Sequence, residues 1–191
     1  NEILELSKRL FETPELGFKE HKTKALIQDY LKKEGFTVSK EYFETGFEVT
    51  IGSGKPHIGL ICELDAIPTQ GHRCADPVDH AAHSCGHSTQ VGIMLNAITA
   101  LKKLDAVKNG GMITLFFTPA EEFCDLAYRK ELQKAGKIKT LSGKTNMLLA
   151  GCFDDIDLCI HMHGMGEYRG YKFSVDSTLA GFLYKEYNFI G

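Results

Sequence analysis

The chain has 191 residues, 43% of them hydrophobic and 25% charged, and its formal net charge is −3. These values are those of one globular domain with a substantial core, and they exclude the strongly basic surface of a nucleic-acid-binding protein. No apolar run reaches the ~18 residues that a membrane-spanning helix needs, so we expect neither nucleic acid nor a membrane as a partner. The six cysteines are too sparse for a disulfide-stabilised scaffold, which predicts a reducing compartment and a cytoplasmic location.

Apolar spacing predicts two helices at the start of the chain, over 3–12 and 20–34. Two short strands are predicted next, over 36–42 and 47–52, before the turn GSGKP. Three later segments are apolar throughout, as in strands that a sheet buries on both faces, and these are 57–64, 111–117 and 156–163.

Helices alternate with the three buried strands. One is predicted to begin at Ser88 or Thr89, which would cap it, and to run through Leu104. Two more are predicted over 125–135 and 144–151. This alternation predicts an α/β fold with a mostly parallel central sheet flanked by helices. The tail of the chain returns to a strand pattern.

Polar side chains end or follow each of the buried strands. Asp65 follows the first, Glu121 and Glu122 follow the second, and the third ends at His161 and His163. Ligands of parallel sheets bind beyond the carboxyl ends of the strands, so we expect these side chains to meet at one edge of the sheet. Asp65 could orient a ligating histidine there, or it could equally well form a loop or capping hydrogen bond.

The stretch HAAHSCGHSTQ places a cysteine among three histidines. Cys85, His87, Glu122 and His163 together offer the sulfur, nitrogen and oxygen ligands that zinc accepts, whereas a single cysteine or histidine more often serves packing or a hydrogen bond. The paired glutamates favour the metal, because one carboxylate can ligate a cation while the other holds a water and takes its proton. A redox thiol is the weaker interpretation, since no second cysteine stands in a Cys-x-x-Cys spacing.

Five motifs follow one another along the chain, TPELGFKE, CELDAIP, HSCGH, ITLFFTPAEE and AGCFDDIDLCIHMH. With them the chain resembles the metal-dependent amidohydrolases related to aminoacylase and carboxypeptidase, from about Phe11 to Gly191. The resemblance is to the subgroup that contains N-acyl-amino-acid, hippurate, indole-acetyl-amino-acid and p-aminobenzoyl-glutamate hydrolases.

This resemblance implies a zinc-peptidase-like catalytic domain with two divalent metal ions, zinc or manganese. The metal ligands that it implies are Cys85, His87, Glu122 and His163, with His161 as the alternative to the last. It also implies Glu121 as the general base and Asp65 as the aspartate that orients a ligand. The implied substrate is a small N-acyl amino acid or dipeptide, and the full-length protein is implied to be a homodimer.

The chain departs from the resemblance in two ways. Ser88 stands where the family often has Asp, and the next two residues, TQ, replace a common GH, which keeps every implied ligand and bears on the substrate pocket. Family members also continue into a lid or dimerisation domain and back. We therefore expect 1–178 to be the N-terminal part of the catalytic domain, 179–191 to be the first strand toward a missing lid, and the chain to be an N-terminal fragment.

Hydrolysis of an amide bond is the leading functional hypothesis. A catalytically inactive metal- or ligand-binding domain is the alternative, which Ser88 and the missing second half permit. The presence of both Glu121 and Glu122 argues against it, because a binding domain has no use for a general base. A purely structural zinc would have four closed ligands and no water, and the same carboxylate pair argues against that.

Overall fold

The structure is a computed structural model that describes residues 2–164 and the single positions 175 and 189. The strands expected in the tail and the domain boundary expected after residue 178 lie outside the described residues. The first half contains α1 (Glu2–Phe11), α2 (His21–Lys33), β1 (Val38–Tyr42), β2 (Gly46–Ser53), β3 (His57–Glu63), β4 (Ile67–Pro68) and β5 (Ala81–Ala82). The second half contains α3 (His87–Lys103), β6 (Gly111–Thr118), α4 (Leu126–Lys134), α5 (Gly143–Leu149) and β7 (Leu158–His161).

A five-stranded sheet in the order β1-β2-β6-β3-β7 forms the centre of the fold. Strand β3 pairs in parallel with β6 and with β7, and Leu60 is opposite Leu115 on one side and Ile160 on the other. Strand β2 pairs antiparallel with both β1 and β6, so it alone runs against the other four. The predicted mostly parallel sheet is thereby confirmed, and the short β4 and β5 form a separate two-stranded ribbon.

The main hydrophobic core lies between one face of the sheet and helices α1, α2 and α3. Apolar side chains from the sheet and from each of the three helices are fully buried there, including Leu10, Ile27, Leu95 and Leu115. Burial of each such side chain stabilises the fold by about 1.5–3 kcal/mol relative to exposure. A smaller cluster on the opposite face joins Phe116 of β6 to Met147 of α5, so helices cover both faces of the sheet.

Strand β7 is exposed, which corrects the expectation that 156–163 is a buried strand. Leu158 is 57% exposed and Ile160 is 45% exposed. The physical reason is its position, because β7 is at the end of the strand order and pairs only with β3 within residues 2–164. An apolar run therefore identified the strand correctly but did not distinguish a central strand from an edge strand.

Helix α3 begins earlier than its predicted cap at Ser88 or Thr89. Its N-cap is Gly86, which has a φ of 101° in the left-handed region that favours glycine. His87 is consequently the first residue of the helix, and its side chain is fully buried. Among the described residues, the helices are all too short or too polar to cross a bilayer.

Candidate metal centre

The carboxyl ends of the three parallel strands bring the predicted site residues together. The last residue of β3, Glu63, is opposite Thr118 of β6, and Ile61 of β3 is opposite His161 of β7. The segments that leave β3, β6 and β7 therefore start side by side at one edge of the sheet. This edge carries Asp65, the Glu121–Glu122 pair, His161 at the end of β7 and His163 just beyond it, as the strand-end rule predicts.

His87 is oriented by Asp65. Its Nδ1 lies 2.7 Å from the backbone oxygen of Asp65 and 3.5 Å from the carboxylate oxygen Oδ1. Both partners are acceptors, so Nδ1 carries a proton, and the other ring nitrogen, Nε2, points into the site. Nε2 is buried and lies 3.2 Å from Glu63 Oε2 and 3.9 Å from Glu122 Oε1, without the alignment of a hydrogen bond to any described residue.

The carboxylates around His87 stabilise a positive charge on its ring. Burial lowers the pKa of His87, but the hydrogen bond to Asp65 and the charges of Asp65 and Glu63 outweigh it and raise the pKa to about 10. A protonated ring is therefore what these carboxylates stabilise when no other cation is bound. A divalent ion on Nε2 would take the place of that proton.

A first group of potential ligands combines Cys85, His87 and His163. One ligand atom from each, the thiol sulfur and two ring nitrogens, lies within 4.8 Å of the others. Cys85 Sγ is 3.4 Å from His163 Nε2, which is close to the roughly 3.5 Å between ligand atoms that follows from tetrahedral zinc with bonds of ~2.0–2.3 Å. Burial and the charge of Glu122 raise the pKa of Cys85 to about 12, so a thiolate there needs a bound cation.

A second group combines Glu63, His87 and Glu121, again within 4.8 Å of one another. From the sequence alone, no role was assigned to Glu63, which is the second residue of the motif CELDAIP. It is buried, its Oε1 lies 3.2 Å from His161 Nε2 and its Oε2 accepts a hydrogen bond from Gln90 Nε2 at 3.2 Å. The signal that could have revealed it is a carboxylate at the end of an apolar strand, since such a group is costly to bury without partners.

Lys144 provides a further charge that was not anticipated from the sequence. It stands in the first turn of α5, its ammonium group donates to a carboxylate oxygen of Glu63, and it lies 3.9 Å from Glu121 Oε1. Burial raises the pKa of Glu63, but the hydrogen bond of His161, the adjacent ring of His87 and the charge of Lys144 hold that pKa well below its usual range. Glu63 is therefore an anion, whether or not a metal ion is bound beside it.

The two glutamates after β6 differ in their surroundings. The backbone N–H of Glu122 donates to Asp65 Oδ2 at 2.9 Å, which fixes the chain where it enters the site. The side chain of Glu121 is 34% exposed. Burial and the nearby charge of Glu63 raise the pKa of Glu121, against the opposing effect of Lys144.

His161, the last residue of β7, and His163, just beyond it, have different neighbours. His163 lies with Cys85 and His87 in the first group of ligands. His161 instead lies near the amide of Gln90, with 3.1 Å between the two Nε2 atoms, and near Glu63. His83, the first residue of HSCGH, is also buried, and burial lowers its pKa to about 4. Its ring is therefore neutral.

Comparisons with known proteins show which family the chain resembles. The sequence profile of a family described as peptidase family M20/M25/M40 matches residues 59–168. The chain is 30% identical over 158 residues to IAA-amino acid hydrolase ILR1-like 6 of Arabidopsis thaliana, a match that covers 81% of the chain and 30% of the relative. It is 30% identical over 168 residues to N-acetyl-L-cysteine deacetylase of Bacillus subtilis (strain 168), covering 85% of the chain and 36% of the relative.

A solved structure shares the fold. It is a Bacillus subtilis protein described as a dinuclear metal binding peptidase from the M20 family, with a TM-score of 0.67 and 24% identity, and the match covers 86% of this chain and 42% of that one. The chain thus spans about a third of the length of the two curated relatives.

Proposed function

The chain belongs to peptidase family M20/M25/M40, and on that premise we propose that the protein hydrolyses an amide bond with the help of divalent metal ions. The proposed substrate is a small N-acyl or N-aroyl amino acid, or a dipeptide. Two curated relatives are named as an IAA-amino acid hydrolase and an N-acetyl-L-cysteine deacetylase, which supports this substrate class.

The observation that carries the proposal is the buried Nε2 of His87. Asp65 engages the other ring nitrogen, so Nε2 is directed at a group of anionic and neutral ligand atoms with no hydrogen bond of its own among the described residues. Burying such a nitrogen unpaired is costly, and a metal ion would satisfy it. The sulfur, nitrogen and carboxylate donors around it fit zinc and also accommodate manganese.

We assign Cys85, His87, Glu122 and His163 as metal ligands, with His161 as the alternative to His163. Two ions are proposed, in keeping with the relative described as a dinuclear metal binding peptidase. His87 offers a single free lone pair and so ligates one ion, and the second ion needs ligands from other residues. Glu63 is available for that role.

Glu121 is the proposed general base. Divalent ions, when bound, would polarise the scissile carbonyl and lower the pKa of water. The carboxylate of Glu121 accepts the proton of the attacking water, whose oxygen forms a bond to the carbonyl carbon, and then donates that proton to the nitrogen as the C–N bond breaks. Burial and neighbouring charge raise the pKa of Glu121, which makes it a stronger base than an ordinary glutamate. Asp65 contributes by holding the ligating ring of His87.

Other parts of the proposal rest on the sequence. We retain 1–178 as part of the catalytic domain, 179–191 as the start of a lid or dimerisation domain, and a homodimer as the assembled form. The six cysteines are unpaired, which supports the proposed cytoplasmic location. Ser88 is buried in the first turn of α3, so we propose that it influences the substrate pocket through packing.

A substrate panel tests the proposed function. The protein, in its full natural length, is loaded with zinc or manganese and incubated with N-acyl amino acids, N-aroyl amino acids and dipeptides, and the released amine is quantified. We expect turnover that a chelator abolishes and added metal restores. Stoichiometric metal binding without turnover of any panel member would favour the alternative, a catalytically inactive metal-binding domain.

A further inference from the structure

The residue before the proposed base has an unusual backbone conformation. Ala120 has a φ of 50°, in the left-handed region that residues other than glycine disfavour. It is fully buried and connects the end of β6 to Glu121. Because the direction of the chain after a left-handed residue depends on that φ, the position of the Glu121 and Glu122 side chains depends on what holds Ala120.

The buried carboxyl group of Glu20 holds the N–H side of Ala120. Glu20 is fully buried, and its Oε1 accepts the hydrogen bond of the Ala120 backbone N–H at 2.8 Å. Its other oxygen pairs with the Thr45 hydroxyl at 2.6 Å. Glu20 thus reaches across 100 residues of sequence to the turn.

Two donors hold the C=O of Ala120, the buried guanidinium of Arg129 and the first backbone N–H of α5. The Ala120 oxygen accepts hydrogen bonds from Arg129 Nη1 at 3.3 Å and from the Gly143 N–H at 3.0 Å. Arg129 is fully buried, and its Nη2 lies 3.7 Å from Asp65 Oδ2. The same arginine therefore connects the turn before the proposed base to the aspartate that orients His87.

The motif TPELGFKE supplies the surface on which this turn rests. A side-chain carbon at Gly17 would lie 2.2 Å from Arg129 Nη2 and 2.7 Å from the Ala120 Cα, so only glycine permits this approach. Phe18 packs against Ala120, and Arg129 lies 5.6 Å from the centre of its ring. This motif contains none of the proposed metal ligands, and its residues instead pack against Ala120 and Arg129.

We infer that Glu20 is a positioning residue for Glu121 and Glu122, acting through its hydrogen bond to the Ala120 backbone. The inference rests on the proposed function for the roles of the two glutamates, but the geometric part stands on the described contacts alone. Loss of the Glu20 acceptor releases the Ala120 N–H and lets the turn relax from its left-handed conformation. The carboxylates that follow are then displaced, and a displacement of about 1 Å near reacting groups costs roughly 10²-fold in rate.

Three single substitutions and one double substitution in the metal-loaded protein test the inference. Glu20→Ala removes the acceptor, Glu20→Gln retains one oxygen for the Ala120 N–H, and Glu15→Ala is the matched control. Glu15 belongs to the same motif and caps α2 by accepting the N–H groups of Lys22 and Thr23 at 3.1 and 2.8 Å, so its loss weakens the fold without removing a contact to Ala120.

Kinetic and metal-binding measurements are expected to separate the variants. Glu20→Ala should lower kcat by roughly 10²-fold with KM little changed, and should weaken binding of Co²⁺ followed by its absorption spectrum, since Glu122 moves. Glu20→Gln and Glu15→Ala should keep both properties near those of the parent protein. Adding Ala120→Gly to Glu20→Ala should restore part of the loss, because glycine adopts the left-handed conformation without a clamp.

An activity-independent measurement separates this inference from the proposed function. Amide hydrogen exchange at Ala120 should accelerate in Glu20→Ala and stay slow in Glu20→Gln and Glu15→Ala, whatever the protein hydrolyses. Unchanged exchange in Glu20→Ala, or equal losses of Co²⁺ affinity in Glu20→Ala and Glu15→Ala, would overturn the inference. A parent protein without hydrolase activity but with this exchange pattern would refute the proposed function and leave the positioning contact standing.

Discussion

Asp65 holds His87 through its backbone and Glu122 through its side chain. Its carbonyl oxygen lies 2.7 Å from His87 Nδ1, and its carboxylate accepts the Glu122 backbone N–H at 2.9 Å. One residue just beyond β3 therefore sets the relative positions of an imidazole from α3 and a carboxylate from the segment after β6. A change in the backbone at Asp65 would move two proposed ligands together.

Metal content should distinguish His161, which ends β7, from His163. We expect the protein in its full natural length to bind about two divalent ions, as two-metal hydrolases do. His163→Ala should lose about one of them, because His163 Nε2 lies beside Cys85 Sγ. His161→Ala is the matched control and should retain both. Elemental analysis after metal reloading checks this, and the opposite result would make His161 the ligand.

The two adjacent glutamates should respond differently to the same substitution. Glu121→Gln should lower kcat by about 10²- to 10⁴-fold, the usual contribution of a general base, and leave metal content unchanged. Glu122→Gln should lose metal, because it removes a proposed ligand. Steady-state kinetics together with elemental analysis test this division of roles, which equal metal content in both variants would refute.

Stability should depend on pH through Glu20. Burial and the charge of Asp65 raise its pKa from 4.5 to about 8, although hydrogen bonds from Thr45 and Ala120 oppose the shift. The folded state therefore keeps a proton that the unfolded state releases above pH ~4.5, so this contribution to the free energy of unfolding falls as pH rises from about 4.5 to about 8. Below this window both states are protonated, and above it both are ionised.

Glu20→Gln should remove that contribution. Urea unfolding across the same pH window should give a shallower decline of stability with pH for the variant than for the parent chain. Identical slopes for the two proteins would mean that Glu20 titrates normally in the folded state.

Arg129 should be important for stability, because it is a fully buried cation beside Asp65. Arg129→Met should destabilise the fold by about 3–5 kcal/mol, as removal of one member of a buried ion pair does. The substitution also leaves the Leu141 carbonyl without its donor and the Ala120 carbonyl with only the Gly143 N–H. Arg9→Met on the exposed surface of α1 is the control and should change stability by less than about 0.5 kcal/mol. Chemical denaturation measures both, and similar effects would contradict the buried pair.

The exposed β7 edge should promote self-association of the 191-residue chain. Unpaired strand edges with apolar side chains pair with other chains, and Ile160 is 45% exposed. Ile160→Lys should reduce association in light scattering. Val78→Lys, at an apolar position that is 86% exposed but lies in a loop, should not. A monodisperse parent chain would show that this edge is protected.

Much of the fold could be predicted, because periodicity and strand-end polarity are local properties of the sequence. The three parallel strands and their polar endings placed Asp65, Glu122 and His163 at one edge of the sheet from the sequence alone. The exposure of β7 could not be predicted, since an apolar run reports strand character and not the number of neighbouring strands. The predicted start of α3 was wrong because Gly86 permits a left-handed cap that propensity rules for serine and threonine do not anticipate.

The burial and the partners of the polar residues beneath the site could not be predicted from local sequence patterns. Glu20 and Arg129 look like ordinary surface residues in their helical contexts, yet both are fully buried. Their partners are backbone atoms of Ala120, and no sequence pattern identifies a backbone hydrogen bond across 100 positions. Glu63 came closest to being recognised, since it closes an apolar strand just before Asp65.

The pairing of β7 with β3 also has a consequence for biosynthesis. Strand β3 leaves the ribosome about a hundred residues before β7, its parallel neighbour, and residues are added at roughly 5–20 per second. For some seconds the nascent chain therefore carries Cys85 and His87 without His163. During that time the Cys85 thiol is open to oxidation and to binding of an unwanted metal ion, so quick docking of β7 onto β3 would protect the centre while the protein is being made.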